Sequence, residues 1–185
     1  MIDTAIILAA GLGKRMREFD PVIPKPLIKV KNKPFIQYAI DLLNEIRAKK
    51  IVINVHYKSD EILKFIKNLS QNNIIVSDES DLLLDTGGGI KKIFDKYNIN
   101  KSLVLNSDVI WSDSDKELIV DMINSYPKEA EAFIGLVPKK NIRGFKGKGD
   151  FCILKNNNLI RYDAISEPYV YIGAQIISKN AFNGI

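Results

Sequence analysis

Short apolar runs and amphipathic stretches alternate along the chain. Ile6-Ile7-Leu8-Ala9 is unbroken by polar residues and ends at Gly11, the profile of a strand buried on both faces. Ile51-Val52-Ile53-Asn54-Val55, Ile74-Ile75-Val76, Ser102-Leu103-Val104-Leu105 and the buried-type run from Ala132 to Val137 read as strands too. Between them apolar residues recur at helical spacing: Ile36, Ala39, Ile40 and Leu43, then Ile62, Phe65, Ile66 and Leu69 behind a candidate cap at Ser59, then Ile90, Ile93, Phe94 and Tyr97. Ser114-Asp115-Lys116-Glu117 has capping-box spacing ahead of Leu118, Met122 and Tyr126. Residues 151–162 predict a hairpin around Asn156-Asn157-Asn158, and 169–177 a final strand. Strand, loop and helix alternate at least four times. The class expected is therefore α/β, a mostly parallel sheet wrapped by helices, in a single domain over 1–185.

In such sheets ligands bind beyond the carboxyl ends of the strands. Three chemically loaded segments fall there: Gly11–Arg15, Asp85–Gly89 and Asn106–Asp108. The first belongs to Leu8-Ala9-Ala10-Gly11-Leu12-Gly13-Lys14-Arg15-Met16. It is not a dinucleotide fingerprint, because Met16 stands where the third glycine belongs. Nor is it a Walker A loop, which needs Ser or Thr at the position of Arg15 and a glycine at that of Leu8. What remains is a strand-end turn whose glycines let backbone N–H groups approach phosphates, with Lys14 and Arg15 to meet the charge. Downstream, prolines at 21, 24, 26 and 34 bar a clean helix start and predict a long ordered loop. Pro24-Lys25-Pro26 in it presents one lysine between two residues of fixed φ.

Leu84-Asp85-Thr86-Gly87-Gly88-Gly89 opens a helix with three glycines, which cost stability there and suit close packing against a flat ring or a phosphate. The plainer reading is a flexible turn. Asp108 is a hard oxygen ligand for Mg²⁺ or, on the plainer reading, a turn or helix cap. His56 reads as a structural or rim residue, Trp111 as packing, and Cys152 as a small buried hydrophobe.

Composition narrows the classes. With 46% hydrophobic and 26% charged residues, disorder and fibrous repeats are excluded. One cysteine and one histidine among 185 residues exclude an internal disulfide and a His- or Cys-rich metal centre. No apolar run reaches the roughly 18 residues that cross a bilayer. The start has no basic region before its apolar stretch, so a cytoplasmic chain is expected. The net charge of +5 suits an anionic ligand. The basic run from Lys139 to Lys148 reads as a solvated loop. An RNA-binding reading lacks aromatic platforms, since only Phe145 interrupts the run.

The loop Leu8 to Met16, with Pro24-Lys25-Pro26-Leu27 and Asn106-Ser107-Asp108, resembles the signature of the sugar-1-phosphate nucleotidyltransferases. Leu84 to Ile90 and Gly147-Lys148-Gly149-Asp150-Phe151 resemble one branch, the N-acetylmuramate 1-phosphate uridylyltransferases of cell-wall recycling. The resemblance spans essentially the whole chain. It implies a three-layer α/β/α, Rossmann-like fold around a mostly parallel mixed sheet. It also implies a reaction in which UTP and N-acetyl-α-muramate 1-phosphate give UDP-N-acetylmuramate and pyrophosphate. By the same resemblance Ala9, Ala10, Gly11, Gly13, Lys14, Arg15, Lys25, Glu79, Thr86 and Gly88 bind the nucleotide; Gly13, Lys14 and Arg15 hold the triphosphate, and Arg15 stabilises charge as pyrophosphate leaves. Lys25 bridges the two phosphates, Gly88 lies against the uracil with Glu79 nearby, and Asn106, Asp150 and Gly173 meet the sugar. Asp108 binds Mg²⁺, with Mn²⁺ as the alternative ion.

Two departures stand out. Ser107 replaces the usual glycine, and the family's C-terminal segment, with a second metal-binding Asp, is expected to be lacking. Small-molecule partners are expected, without nucleic acid or membrane. The alternatives are a mannose-1-phosphate guanylyltransferase, a glucose-1-phosphate uridylyl- or thymidylyltransferase, and a catalytically weak regulatory nucleotide-binding module.

Overall fold

A computed structural model of the chain describes residues 3–13, 23–82 and 84–184. They form two compact units. The larger comprises residues up to Phe133 together with those from Gln175 onward, and the smaller runs from Ile134 to Ala174.

In the larger unit, β1 (Thr4–Leu8) lies in register between two parallel partners, with Leu8 level with Asn54 on one side and Asn106 on the other. Those partners are β4 (Lys50–Val55) and β6 (Lys101–Asn106), and β5 (Ile74–Asp78) adds in parallel beyond β4. The spatial order is β5-β4-β1-β6, followed by β10 (Tyr169–Ser178), whose last four residues belong to this unit. Successive side chains alternate between faces. Ile6, Val52 and Val104 therefore share one face, where Ile90, Ile93 and Phe94 of α3 (Asp85–Tyr97) cover them. Phe182, in a 3₁₀ turn at Lys179–Phe182, completes that layer edge-on to Phe94 at 5.6 Å between ring centres. Ile7, Ile51, Ile53, Leu103 and Leu105 occupy the other face, and α1 (Phe35–Glu45) packs beside β1 with Ile36, Ala39, Ile40 and Leu43 fully buried. α2 (Ser59–Leu69) lies against β5, and α4 (Asp115–Asn124) follows β6. Helices flanking a mostly parallel sheet are the expected class.

Four local expectations change. The proline-rich segment is more than a loop: a 3₁₀ turn at Lys25–Leu27 leads into β2 (Lys29–Val30) and β3 (Lys33–Pro34). Lys31 and Asn32 both take positive φ between the two strands, the backbone of a tight hairpin turn. Phe35 N–H donates to Ile28 C=O (3.0 Å), satisfying a donor at the head of α1 that Pro34 cannot cap. Ser59 is the first helical residue rather than the cap of α2: Lys58 holds that position in a left-handed conformation, and the Ser59 hydroxyl meets Ser80. Ser114 occupies the cap position of α4 without a capping bond. Its hydroxyl meets Ser112, whose N–H and O–H both reach Asp115 Oδ2 at 2.7 Å. Finally, β7 (Ala132–Pro138) is half-buried, not the buried strand its apolar run suggested.

The smaller unit contains most of β7, the hairpin of β8 (Phe151–Ile153) and β9 (Leu159–Arg161), and the first part of β10. Asn157 turns the hairpin at φ +62°, as expected from the asparagine run. Cys152 is buried, and its thiol points to Asp163. Asp163 also accepts the N–H groups of Ser166 and Ile165 (3.0 Å each), which hold its carboxyl down to about 2. A depressed pKa adds stability above the ordinary aspartate range, and that stability is lost as pH falls through the lowered value. The Ile165 and Ser166 amides are therefore expected to stay protected until about pH 2. Loss of protection near pH 4 in an amide-exchange series would contradict this.

Candidate active site

Running outward from β1, the chain builds β4 and then β5 on one side and returns to place β6 on the other. That reversal leaves a crevice at the carboxyl ends of β1 and β6, where open α/β sheets take their ligands. A cleft of about 450 Å³ opens there. Its walls are the turn Leu8–Gly13, Lys25 and Pro26, Asn54, Asp85 and Thr86, and Asn106–Asp108.

Each wall has a local cause. Gly13 adopts φ +59°, and a Cβ on it would come within 3.1 Å of Lys25 Cβ, so the glycine lets the turn close against the lysine. Lys25 is itself held by the 3₁₀ turn, through Leu27 N–H to Pro24 C=O (2.8 Å) and Ile28 N–H to Lys25 C=O (3.2 Å). Its ammonium pairs with Asp108 Oδ2. Both side chains are about three-tenths exposed, at 27% and 31%, so an incoming phosphate can reach the pair. Ser107, at the family's glycine position, is buried, and its N–H donates to Leu8 C=O (3.2 Å), continuing the β1–β6 ladder past Asn106. At the head of α3, Asp85 holds a left-handed φ of +55°, a strained conformation that aspartate tolerates better than most residues. Among the described lining residues one cation faces two carboxylates, Asp85 and Asp108. A triphosphate there requires further positive charge.

The cleft gathers Ala9, Ala10, Gly11, Gly13, Lys25, Thr86, Asn106 and Asp108 of the expected site residues. Lys14 and Arg15 lie outside the described residues. Gly88 does not line the cleft, and a Cβ on it would lie 3.0 Å from Leu84 Cβ. Glu79 is buried behind Gly89, where a Cβ would fall 2.6 Å from Glu79 Oε1. Beside it, Asp78 is held below the usual carboxylate range by the Ser80 hydroxyl and N–H, with Lys92 adding to the effect. His56 directs Nδ1 at Glu79 C=O. Because a carbonyl only accepts, that nitrogen carries the proton. Asp150 and Gly173 belong to the smaller unit. There Asp150 Oδ2 accepts Tyr171 N–H (2.9 Å), and Gly173 takes φ +87°.

One lining residue escaped the sequence reading. Asn54 is 2% exposed; its Oδ1 accepts Ala9 N–H (2.8 Å) and its Nδ2 donates to Glu79 Oε1 (2.9 Å). The available signal was a polar residue near the end of an otherwise apolar strand.

Known proteins resemble the chain over most of its length. The family model described as nucleotidyl transferase matches residues 4–146. An N-acetylmuramate alpha-1-phosphate uridylyltransferase of Caulobacter vibrioides is 31% identical over 179 residues, covering 93% of this chain and 74% of the relative. A D-glycero-alpha-D-manno-heptose 1-phosphate guanylyltransferase of Aneurinibacillus thermoaerophilus is 29% identical over 145 residues, 76% of this chain and 60% of the relative. Among solved structures, that of HddC from Yersinia pseudotuberculosis complexed with GMP-PN superposes with a TM-score of 0.75 at 25% identity, covering all of this chain and 80% of the other. The chain belongs to the nucleotidyl transferase family and is an enzyme of the sugar-1-phosphate nucleotidyltransferase kind.

Proposed function

We propose that the chain joins UTP to N-acetyl-α-muramate 1-phosphate, giving UDP-N-acetylmuramate and pyrophosphate, in the cytoplasm. The observation that carries this reading is the Lys25–Asp108 pair facing the Gly11–Gly13 turn across the switch-point cleft. A sugar phosphate oxygen attacks the α-phosphorus, the bond from that phosphorus to the bridging oxygen breaks, and the electron pair leaves with pyrophosphate. Two anions must be brought together, so positioning and positive charge matter more than covalent chemistry. Lys25 neutralises the approaching phosphates. Backbone N–H groups of the glycine turn cradle the triphosphate, and Lys14 and Arg15 of the same loop supply the charge that the described cleft lacks. Asn106 takes the sugar, and Thr86 lies on the nucleotide side of the cleft.

Among the described residues no three His, Cys, Asp or Glu side chains gather as a metal cluster. Mg²⁺ at phosphoryl sites needs only one or two carboxylates plus substrate oxygens, so Asp108 fits that role. When bound, the ion polarises phosphoryl oxygens and neutralises developing charge. The Asp108→Asn variant is expected to need more Mg²⁺ for half-maximal turnover. An unchanged metal titration would place the ion elsewhere.

A second reading is guanylyl transfer to a mannose or heptose 1-phosphate, favoured by the guanylyltransferase relative and by the GMP-PN complex of the Yersinia protein. Pyrophosphate release across four nucleoside triphosphates and four sugar 1-phosphates separates the two. Release confined to UTP and N-acetylmuramate 1-phosphate supports the first, and release confined to GTP with mannose or heptose 1-phosphate replaces it. Nucleotide binding with no release in any pairing would favour a regulatory module.

A further inference from the structure

We propose that Asn54 is a positioning residue that ties the glycine turn after β1 to the glycine turn opening α3, and so sets the spacing of the cleft's two lips. The proposal deepens, and rests on, the reading of the cleft as a nucleotide site. A primary amide both accepts and donates, and here each half has one chemically permitted partner. Ala9 N–H can only donate, so Oδ1 faces it; the Glu79 carboxylate accepts, so Nδ2 faces that.

Glu79 is a fixed anchor. Its N–H donates to Val55 C=O (2.8 Å), and its carbonyl accepts Leu82 N–H (3.1 Å) as well as His56 Nδ1. Its other carboxylate oxygen, Oε2, is buried with no hydrogen-bond partner among the described residues, which leaves Asn54 as the donor on which the carboxylate depends. A Cβ at Gly89 would meet Glu79 Oε1 at 2.6 Å and Asn54 Nδ2 at 2.9 Å, so the pair presses directly on the backbone of α3. On the far side Ser107 N–H holds Leu8 C=O, so the turn after β1 is gripped from both neighbouring strands.

The test exchanges the two polarities. Asn54→Asp sets two carboxylates in one buried space, where they share a proton. Adding Glu79→Gln restores one acceptor and one donor in swapped places. The charged or titratable groups around the pair are His56, Asp78 with Lys92, and Asp85 at the head of α3. Asn54→Asp is expected to weaken UTP and GTP binding by about 10- to 100-fold at pH 8, the range set by one buried unpaired group. Two carboxylates sharing one proton give its Ala9 amide resonance a pH-dependent step, read against the wild type. The double variant is expected to lose the titration and recover most of the affinity.

Unchanged affinity with no new titration in folded Asn54→Asp overturns the proposal, as does a double variant no better than the single one. If Asn54→Asp does not fold, a folded double variant supports the pairing and an unfolded one overturns it. A wild type that binds none of the four nucleoside triphosphates defeats the nucleotide reading instead. The Ala9 titration then still decides whether Asn54 holds the turn.

Discussion

Lys25→Ala is expected to lower turnover at least about 10²-fold, near 2.7 kcal/mol of transition-state stabilisation. The lysine is the described cation of the cleft, and removing it leaves Asp85 and Asp108 facing an incoming triphosphate. Two effects add. The phosphates lose a positive partner during transfer, and Asp108 loses the ammonium that neutralises it. The side chain stands on a rigid turn between Pro24 and Pro26, so the variant should keep the wild-type unfolding midpoint, and the loss belongs to chemistry rather than folding. Steady-state pyrophosphate release at saturating substrates reads the effect. A rate within a few-fold of wild type would remove Lys25 from the reaction. Arg15→Ala is expected to show a loss of the same order, because the family resemblance gives Arg15 the charge of the departing pyrophosphate.

Gly89→Ala is expected to destabilise the protein by about 2 kcal/mol, although alanine is the better helix former by about 1 kcal/mol. The added methyl would lie 2.6 Å from Glu79 Oε1, far inside contact distance. Either α3 moves off the sheet or the Asn54–Glu79 bond breaks. Overpacking costs about 1–3 kcal/mol and an unpaired buried polar group about as much, so the loss exceeds the helical gain. In a chain of this size the unfolding midpoint should fall by about 4–8 °C. Gly87→Ala is the matched control. Among the described residues a Cβ there meets no side chain within 4 Å, so it should gain up to about 1 kcal/mol. Thermal unfolding of both variants decides the matter, and equal shifts of the same sign would contradict the packing argument.

The strands that position the site were legible because each is buried on both faces and so appears as a continuous apolar run. β1, β4 and β6 announce themselves this way, and so does α3 through Ile90, Ile93, Phe94 and Tyr97. The site loops were legible because glycines and a proline-flanked lysine are costly without a purpose. Asn54 was not, because its role depends on Ala9 and Gly89, which are remote in sequence and meet it only after the sheet and α3 are assembled. The two serine caps failed for a related reason. Correct spacing permits a capping bond, but Ser80 and Ser112 offer the hydroxyls nearer partners in the folded chain. β2 and β3, two residues each, are too short for any periodicity, and the half-burial of β7 does not follow from its apolar content.

The larger unit is discontinuous, and this bears on how the protein is made. A nascent chain that has emerged as far as Ala174 holds β1, β4, β5, β6 and all four helices, yet lacks the strand end and the Phe182 ring that finish the layer over Phe94. Until then part of that layer stays uncovered, an apolar surface that invites association with other chains. This half therefore closes only after the smaller unit has been made, so its exposure lasts through the synthesis of Ile134–Ala174.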